Sequence, residues 1–344
     1  MKLGMVAGYS GKYIDPQIDK IKFAESLGYE STWTAEAYGS DAISTASWIL
    51  AQTEKMKVGT AIMQMPARTP ALAAMTAMSL NQLSKGRFIA GLGASGPQVV
   101  EGWHGVAYGR PITRTREYIA VMRKIMAREA PAENKGYHYN LPYTGDDATG
   151  LGKPLKSILA ADTNIPIYTA SITPNGVACA AEVADGFFPV WMSPEQYSVF
   201  EPDVQKGLDK SGRTLADFDI APFVTAIMGD DVAACRMPVK GMLALYIGGM
   251  GAREKNFYND YATKLGYGDD AKIIQDLYLD GKKMEAMMAV PDALVDETAL
   301  VGPKERIIER LQVWKEAGKK GHVGTMLIGT TQNEVLEIIA NDIL

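Results

Sequence analysis

The sequence contains few of the residues that form disulfide scaffolds and metal centres. Its 344 residues include only two cysteines, Cys179 and Cys235, and three histidines, His104, His138 and His322. None of these lies in a C-x-x-C or H-E-x-x-H spacing, so we expect neither a disulfide framework nor a protein-bound catalytic metal. Two cysteines without a pairing pattern suit a reducing compartment, and we expect a cytoplasmic protein.

Long basic runs and long apolar runs are also missing. The chain has 35 Lys+Arg against 40 Asp+Glu, a formal net charge of -5, and its basic residues are scattered. A nucleic acid or an anionic lipid surface attracts a concentrated basic patch, so we expect no nucleic-acid and no membrane partner. The apolar stretch within residues 1–11 is too short for a signal-peptide core or a membrane span. A small-molecule substrate is the remaining expectation.

Short apolar runs alternate regularly with segments of helical period. The strand-like runs cover residues 2–7, 31–34, 57–62, 87–92, 165–170, 186–190, 218–225 and 323–328. Several are apolar throughout, which is typical of parallel strands covered by helices on both faces. Eight such units without a linker predict an α/β fold, a (β/α)8 TIM barrel that forms a single domain over residues 1–344. Insertions are expected at about 129–164 and 241–298, and an open doubly wound sheet is the alternative fold.

In a barrel of this kind the active site lies at the carboxyl ends of the strands, so the loops after the strands are the place to search. The loops at residues 35–41, 63–70 and 93–97 are rich in small residues. Small residues let a flat ligand and its phosphate approach backbone N–H groups at helix starts. Ordinary turns between strands and helices have the same composition, so both interpretations stand at this point.

One of these loops contains the letters of a dinucleotide-binding fingerprint. Gly91, Gly93 and Gly96 form G-x-G-x-x-G directly after a strand. A Rossmann unit carries this loop after its first strand and an acidic residue after the next, whereas here the loop follows the fourth strand. We therefore favour the barrel interpretation. No P-loop and no G-x-S-x-G nucleophile elbow occurs in the sequence.

Several segments, taken in order, resemble the luciferase-like family, and within it the coenzyme F420-dependent branch. The similar segments are residues 34–37, 58–62, 67–71, 83–88, 91–93, 165–168, 184–186 and 300–303. Their order is similar to that in methylenetetrahydromethanopterin reductases and related actinobacterial F420-dependent enzymes, from near residue 1 to about 330. The resemblance implies a luciferase-like barrel that binds coenzyme F420 and transfers a hydride between the deazaflavin C5 and a small organic substrate.

The resemblance also implies which residues hold the cofactor. A cis peptide bond between Ala61 and Ile62, beside Met63, is expected to press this strand end against the back of the ring; a plain buried strand end would be trans. Glu36 matches an acidic position beside the cofactor head. The loops after the fourth and fifth strands supply the other expected contacts, with the tail phosphate near the second loop: Gly93, Ala94, Ser95, Gly96, Ser171, Ile172, Thr173 and Pro174. Helix capping by Thr173 is the simpler role for that residue and is compatible with phosphate binding.

Glu36 is also the candidate catalytic residue, as a proton donor. Burial at a strand end favours the neutral form of a carboxyl, which can release a proton. A helix cap or a salt bridge would give Glu36 a structural role instead. Many relatives carry His at the position of Ala37, and the sugar-phosphate dehydrogenase subgroup carries Glu at the position of Gly96. Both departures argue against sugar-phosphate oxidation and leave the proton donor open.

Aromatic and sulfur-containing residues after the later strands are candidates for the substrate wall. They are Trp103, His104, Trp191, Met192 and Tyr246. Such side chains form an apolar surface for a flat substrate, although each type is also common in protein cores. An FMN-dependent luciferase-like monooxygenase is the alternative enzyme, and a non-catalytic F420-binding carrier is the alternative of another class. The family resemblance also implies a homodimer.

Overall fold

A curled parallel sheet forms the centre of the protein. The computed structural model describes residues 1–8 and 11–344. The strands are β1 (Lys2–Gly8), β2 (Ser31–Thr34), β3 (Lys57–Thr60), β4 (Met63–Gln64), β5 (Phe88–Gly93), β6 (Asn134–Lys135), β7 (Asn140–Leu141), β8 (Ile167–Ala170), β9 (Gly186–Phe188), β10 (Asp219–Ile220), β11 (Phe223–Met228), β12 (Leu300–Gly302) and β13 (Thr325–Gly329).

Helices cover the outside of this sheet. They are α1 (Ile18–Ser26), α2 (Ala42–Gln52), α3 (Pro70–Leu83), α4 (Pro97–Gly102), α5 (Pro111–Ala127), α6 (Pro174–Val183), α7 (Glu201–Ser211), α8 (Val232–Ala244), α9 (Phe257–Lys264), α10 (Gly268–Leu279), α11 (Lys283–Met288), α12 (Asp292–Thr298), α13 (Lys304–Lys319) and α14 (Asn333–Ile343). A π-helix, Leu245–Gly249, continues α8. No helix among the described residues is long and apolar enough to cross a membrane.

The strand order is β10-β9-β8-β5-β3-β2-β1-β13-β11-β12, and β4 pairs with β5. Strands β10 and β11 belong to one stretch of chain, interrupted at Ala221 and Pro222; β10 pairs with β9 and β11 pairs with β13. Hydrogen bonds continue across the interruption, because the Ala221 N–H donates to the Phe187 carbonyl at 2.9 Å and the Leu327 N–H donates to the Pro222 carbonyl at 2.9 Å. The two sides of the sheet are thus bound to the same stretch of chain.

Each predicted strand run contains a strand, with three differences in detail. The run at 218–225 is split, since Pro222 has no N–H to donate to a neighbouring strand. Leu300–Gly302 forms β12 beside β11, outside the predicted strand runs, and α13 begins at Lys304. The expected loop at 129–164 contains the hairpin of β6 and β7. The segment at about 241–298, where the second insertion is expected, is mostly helical.

The inner face of the sheet is filled by a small cluster of large side chains. Its buried members are Trp33, Ile89, Tyr168, Phe188, Ala221 and Leu327, with the partly buried Val6, Ala61, Ile62 and Phe223 packed against them. The ring of Trp33 lies 5.1 Å from that of Phe188 and 5.4 Å from that of Tyr168, between ring centroids. Alternate strand residues point outward into the larger core beneath the helices, for example Leu3, Met5, Val58 and Phe88.

Two glycines make room for this packing. A Cβ at Gly59 would lie 2.3 Å from the ring of Trp33. A Cβ at Gly91 would lie 1.7 Å from the carbonyl oxygen of Thr60, on the neighbouring strand. The Thr60 hydroxyl also donates to the Gly91 carbonyl at 2.7 Å and accepts from the Gly91 N–H at 3.0 Å. The close approach of β3 and β5 therefore depends on Gly91.

We expect Gly91→Ala to destabilise the fold by about 3 kcal/mol, because the new methyl group overlaps backbone atoms that cannot move aside. Urea unfolding of the purified variant measures the change in the free energy of unfolding. Gly102→Ala is the matched control, since nothing lies within 4 Å of a Cβ at Gly102. A Gly91→Ala protein as stable as this control would contradict the packing described here.

Candidate functional site

The candidate residues gather at the carboxyl edge of the sheet. Parallel strands end on the same side, so the loops after β2, β5, β8 and β9 and the turn between β3 and β4 lie at one edge, which we call the mouth. The loop after β1 includes residues 9 and 10, which lie outside the described residues. No group of three or more His, Cys, Asp or Glu side chains in the described part of the chain could hold a metal ion.

The turn between β3 and β4 matches the expectation from the resemblance. The peptide bond between Ala61 and Ile62 is cis. Both side chains are half-buried and pack against the inner cluster around Trp33. A Cβ at Gly93, on β5, would lie 2.6 Å from Cδ1 of Ile62, so the two strand ends are in close contact. Met63 differs, because its side chain is fully buried in the core beneath the helices and is not available to a ligand at the mouth.

The carboxylate of Glu36 is bound on both oxygens. Its Oε1 accepts the Gln64 backbone N–H at 2.8 Å, and its Oε2 accepts the Ala42 backbone N–H at 3.0 Å. The guanidinium of Arg68 adds a bidentate ion pair, with Nη1 on Oε1 and Nη2 on Oε2. The Glu36 side chain is 6% exposed and that of Arg68 is 16% exposed. Fork-to-fork pairs of this kind are strong and fix both partners.

These contacts favour a structural role for Glu36. Four donors occupy its two oxygens, and a protonated carboxyl would have to displace at least one of them. Glu36 forms a salt bridge with Arg68, which is the structural alternative to a proton-donor role. The proton-donor role therefore stays a prediction that the geometry does not favour. Ala37, which follows Glu36, has no side-chain group that could replace it.

Arg68 also binds Asp41, the N-cap of α2. Nη2 of Arg68 donates to Oδ1 of Asp41, while Oδ2 of Asp41 accepts the Ser44 backbone N–H at 2.6 Å. Burial by itself would raise the pKa of Asp41, but hydrogen bonds from Ser44 and the positive charge of Arg68 lower it overall. The hydroxyl of Tyr118 holds the backbone of the same loop by donating to the Arg68 carbonyl at 3.2 Å. Arg68 thus joins the loops that follow β2 and β4.

The loops after β5 and β8 hold the other expected cofactor residues. Gly93 is buried, whereas Ala94, Ser95 and Gly96 are half-buried, and Ser95 has a left-handed backbone with φ of 60°. After β8, Ser171, Ile172 and Thr173 are half-buried, and the exposed Pro174 begins α6. Except for the side chain of Met63, the structure therefore brings the expected cofactor residues to the mouth.

The Ser171 hydroxyl lies close to the first turn of α6. Thr173 caps the helix, because its Oγ1 accepts the Gly176 N–H at 3.2 Å. A Cβ at Gly176 would lie only 1.8 Å from Oγ of Ser171, so the Ser171 hydroxyl occupies the space that a side chain would fill. Backbone N–H groups at a helix start together with a nearby hydroxyl suit a phosphate.

The candidates for the substrate wall divide into accessible and buried side chains. Trp103 is 66% exposed on the surface, and His104 is half-buried, with an Nε2 that has no hydrogen-bond partner within residues 1–8 and 11–344. Tyr246 is half-buried. Trp191 is 4% exposed and Met192 is fully buried, so neither offers much surface to a substrate.

Trp191 instead lies behind Tyr246 and two tyrosines that sequence reasoning missed, Tyr258 and Tyr261. Its ring centroid is 5.6 Å from that of Tyr246, 5.5 Å from that of Tyr258 and 6.3 Å from that of Tyr261. The hydroxyl of Tyr261 donates to the Trp191 carbonyl at 3.3 Å. The signal for this cluster was the recurrence of tyrosine at 246, 258 and 261 within the predicted insertion.

The sequence profile of the luciferase-like monooxygenase family matches residues 2–320 of the chain. The chain belongs to this family. The match spans the strands and loops that form the mouth, so the geometry described above belongs to the part of the chain that defines the family.

Related proteins agree with this assignment. A Mycobacterium tuberculosis protein with the provisional name of coenzyme F420-dependent oxidoreductase is 42% identical over 325 residues, covering 92% of this chain and 93% of that protein. The 5,10-methylenetetrahydromethanopterin reductase of Archaeoglobus fulgidus is 24% identical over 351 residues, covering 100% of this chain and 99% of that protein. The solved structure of the coenzyme F420-dependent tetrahydromethanopterin reductase of Methanopyrus kandleri has a TM-score of 0.77 at 20% identity, covering 99% and 98% of the two chains.

We expect Asp41→Asn to lower the free energy of unfolding by about 1 kcal/mol at pH 7, because Asn can still cap α2 but loses the charge that pairs with Arg68. The folded-state pKa of Asp41 is lowered, so its contribution is present above about pH 4, the unfolded value, and is lost as the pH falls through the folded value. Urea unfolding of both proteins at pH 3 and pH 7 tests this. A difference that does not shrink at pH 3 would contradict the ion pair.

Proposed function

We propose that the protein is a coenzyme F420-dependent oxidoreductase that transfers a hydride between the deazaflavin C5 and a small organic substrate. The observation that carries the proposal is the candidate phosphate site at the start of α6. There the Ser171 hydroxyl occupies the space that a side chain at Gly176 would fill. This site lies at the same edge of the sheet as the small residues that end β3 and β5. The 42% identity to a relative named for F420 dependence supports the same cofactor.

We propose further that the curled sheet is a complete eight-stranded (β/α)8 barrel. Two of its eight strands are interrupted, β3 with β4 and β10 with β11. The other six are β1, β2, β5, β8, β9 and β13. The hydrogen bonds of Ala221 and Leu327 on either side of Pro222 support closure between β9 and β13. The segments at about 129–164 and 241–298 are then insertions in a single domain. The cytoplasmic location stays a prediction.

The ring of the cofactor fits against the turn at Ala61 and Ile62. These half-buried side chains form an apolar floor, with Gly93 and Ala94 at its side. The hydroxyl of Thr173 is already used as a helix cap, so Ser171 is the hydroxyl left for the phosphate. Ser95, Gly96, Ile172 and Pro174 complete the two loops that border the site.

The bound deazaflavin would carry the hydride, and the protein supplies placement and exclusion of water. Glu36 and Arg68 act as positioning residues in this arrangement, since their ion pair fixes the loops on two sides of the ring. The Glu36 carboxylate also holds the backbone in place, because it accepts the N–H groups of Ala42 and Gln64. Trp103 and His104 follow α4, in the connection from β5 to α5, where they can border the substrate.

We expect Ser171→Ala to weaken F420 binding about tenfold, because one hydrogen bond to a charged phosphate is lost. Equilibrium titration followed by deazaflavin absorbance gives the Kd. A deazaflavin riboside without phosphate should bind both proteins equally, and Ser198→Ala, at an exposed serine, is the matched control. Equal F420 affinity for all variants would contradict the phosphate position.

The same titration separates the alternative functions. Binding of FMN but not of F420 would establish the monooxygenase alternative. Tight F420 binding without oxidation or reduction of any ketone, enone or imine would establish the carrier alternative. Tight F420 binding with turnover is the outcome that we expect.

We also propose that the protein forms a homodimer through the outer faces of α2 and α3. Trp48 is 57% exposed, Leu72 is 48% exposed and Met75 is 53% exposed on these two helices. The helices follow neighbouring strands, and Leu72 and Met75 are three residues apart on one helix face. Exposed apolar side chains that share one patch mark interaction surfaces, and we take these three as the candidates for such a patch.

We expect light scattering to give the wild-type protein twice the mass of one 37.2 kDa chain. Met75→Glu should shift the protein toward the monomer, because a carboxylate in an apolar interface loses its hydration. Met284→Glu, at a residue that is 67% exposed on α11, is the matched control and should leave the mass unchanged. A monomeric wild-type protein would contradict the proposal.

A further inference from the structure

Three tyrosines from two distant parts of the chain meet beside the mouth. Tyr246 belongs to the π-helix and Tyr258 to α9, and their ring centroids lie 4.9 Å apart at an interplanar angle of 73°. Tyr108, from the loop before α5, is an electrostatic neighbour of Tyr258. The buried ring of Trp191 supports both Tyr246 and Tyr258 from behind.

The hydroxyls of these three tyrosines have no hydrogen-bond partner in the part of the chain that the structure describes. The more deeply buried Tyr118 and Tyr261 do have partners, since their hydroxyls donate to backbone carbonyls at 3.2 and 3.3 Å. A buried tyrosine hydroxyl usually finds a partner within the protein, whereas an accessible hydroxyl can donate to a ligand. Three half-buried phenols without such a partner therefore form a surface of free donors that suits a ligand.

Within the described residues, few charged groups act on these phenols. The groups that face Tyr246 and Tyr258 electrostatically, among the described residues, are other tyrosines: Tyr38, Tyr108 and each other. Of the three, Tyr108 alone faces a charged group within residues 1–8 and 11–344, namely Arg114. Burial raises the pKa of Tyr246 and raises that of Tyr258 to about 12, so both remain protonated donors at neutral pH.

We propose that Tyr246 is the proton donor of the reaction and that the substrate is an uncharged carbonyl compound held against Tyr246, Tyr258 and Tyr108. This inference rests on the proposed function, because it concerns the substrate side of the same site. A charged substrate would lose hydration here without gaining an opposite charge, whereas a neutral carbonyl gains a hydrogen bond.

Tyr246 is the preferred donor because of its position. It faces Tyr38, which lies one residue beyond Ala37 in the loop after β2. Ala37 and Gly96 have no acidic group, and the carboxylate of Glu36 is occupied by four donors. The Tyr246 phenol, next to that loop, therefore supplies the proton donor that these positions lack.

The proposed step couples a hydride transfer to a proton transfer. The C5–H bond of the reduced deazaflavin breaks, its hydride forms a new C–H bond at the carbonyl carbon, and the π pair of the carbonyl moves to oxygen. That oxygen takes the proton of the Tyr246 hydroxyl, and the resulting phenolate regains a proton from water. The ketone is reduced to an alcohol by two electrons, and the reduced deazaflavin is oxidised by two.

The test compares Tyr246→Phe, Tyr258→Phe and the control Tyr143→Phe, at an exposed tyrosine, in protein loaded with reduced F420. The probes are 4-methylcyclohexanone and the anion 4-oxocyclohexanecarboxylate. We expect Tyr246→Phe to lower kcat by about 100-fold or more with little change in KM or in the Kd for F420. Tyr258→Phe should mainly raise KM, and Tyr143→Phe should resemble the wild type.

The pH profile distinguishes a phenol from an imidazole. With Tyr246 as donor, kcat/KM for the neutral ketone should not fall between pH 6 and 8, whereas a free imidazole titrates near pH 6.5. A profile that falls with an apparent pKa near that value would overturn the assignment. Full kcat in Tyr246→Phe would also overturn it.

Binding of the probes tests the substrate class without turnover. Protein labelled with 3-fluorotyrosine, its resonances assigned with the same three variants, is titrated with each probe and followed by fluorine NMR. Shifts at positions 246 and 258 with the ketone, and weaker or no shifts with the anion, are expected. Absence of binding by the ketone, or tighter binding of the anion, would overturn the proposal. Because this titration is also run without cofactor, its outcome is independent of whether F420 binds.

Discussion

The guanidinium of Arg68 is the contact on which the mouth depends. It binds Glu36 with both terminal nitrogens and Asp41 with one of them, and so ties the loop after β2 to the loop after β4. Removing one partner of a largely buried ion pair leaves the other without compensation, which is why such a pair acts as a unit. The floor at Ala61 and Ile62 lies between β3 and β4, directly before the segment that Arg68 secures.

The two sides of the proposed site differ in chemistry. The cofactor side consists of strand ends with small side chains and backbone N–H groups, held by the sheet and by helix starts. The substrate side consists of aromatic rings from the late insertion, which pack on Trp191. A rigid sheet edge suits a constant cofactor, while loops and insertions can vary to fit a substrate without disturbing the fold.

Much of the fold was predictable because the periodicity of apolar residues and the composition of each segment indicate which side chains are buried. The eight apolar runs predicted the strands, and the small residues that follow them predicted where the mouth would lie. The expected cis bond at Ala61 and Ile62 came from the family resemblance and is confirmed. The break at Pro222 and the extra strand β12 were missed, because short strands are defined by the hydrogen bonds of a neighbour rather than by their own pattern.

The sequence by itself determined the alternation of strands and helices, the family and the loops in which the site lies, because these depend on local periodicity and on residues in fixed order. Only the tertiary structure decided what individual side chains do. Glu36 meets Arg68 across 32 positions, Trp191 turns inward behind Tyr246 and Tyr258, and Met63 points into the core. Contacts between residues far apart in the chain depend on how the sheet curls, and no local pattern encodes that curvature.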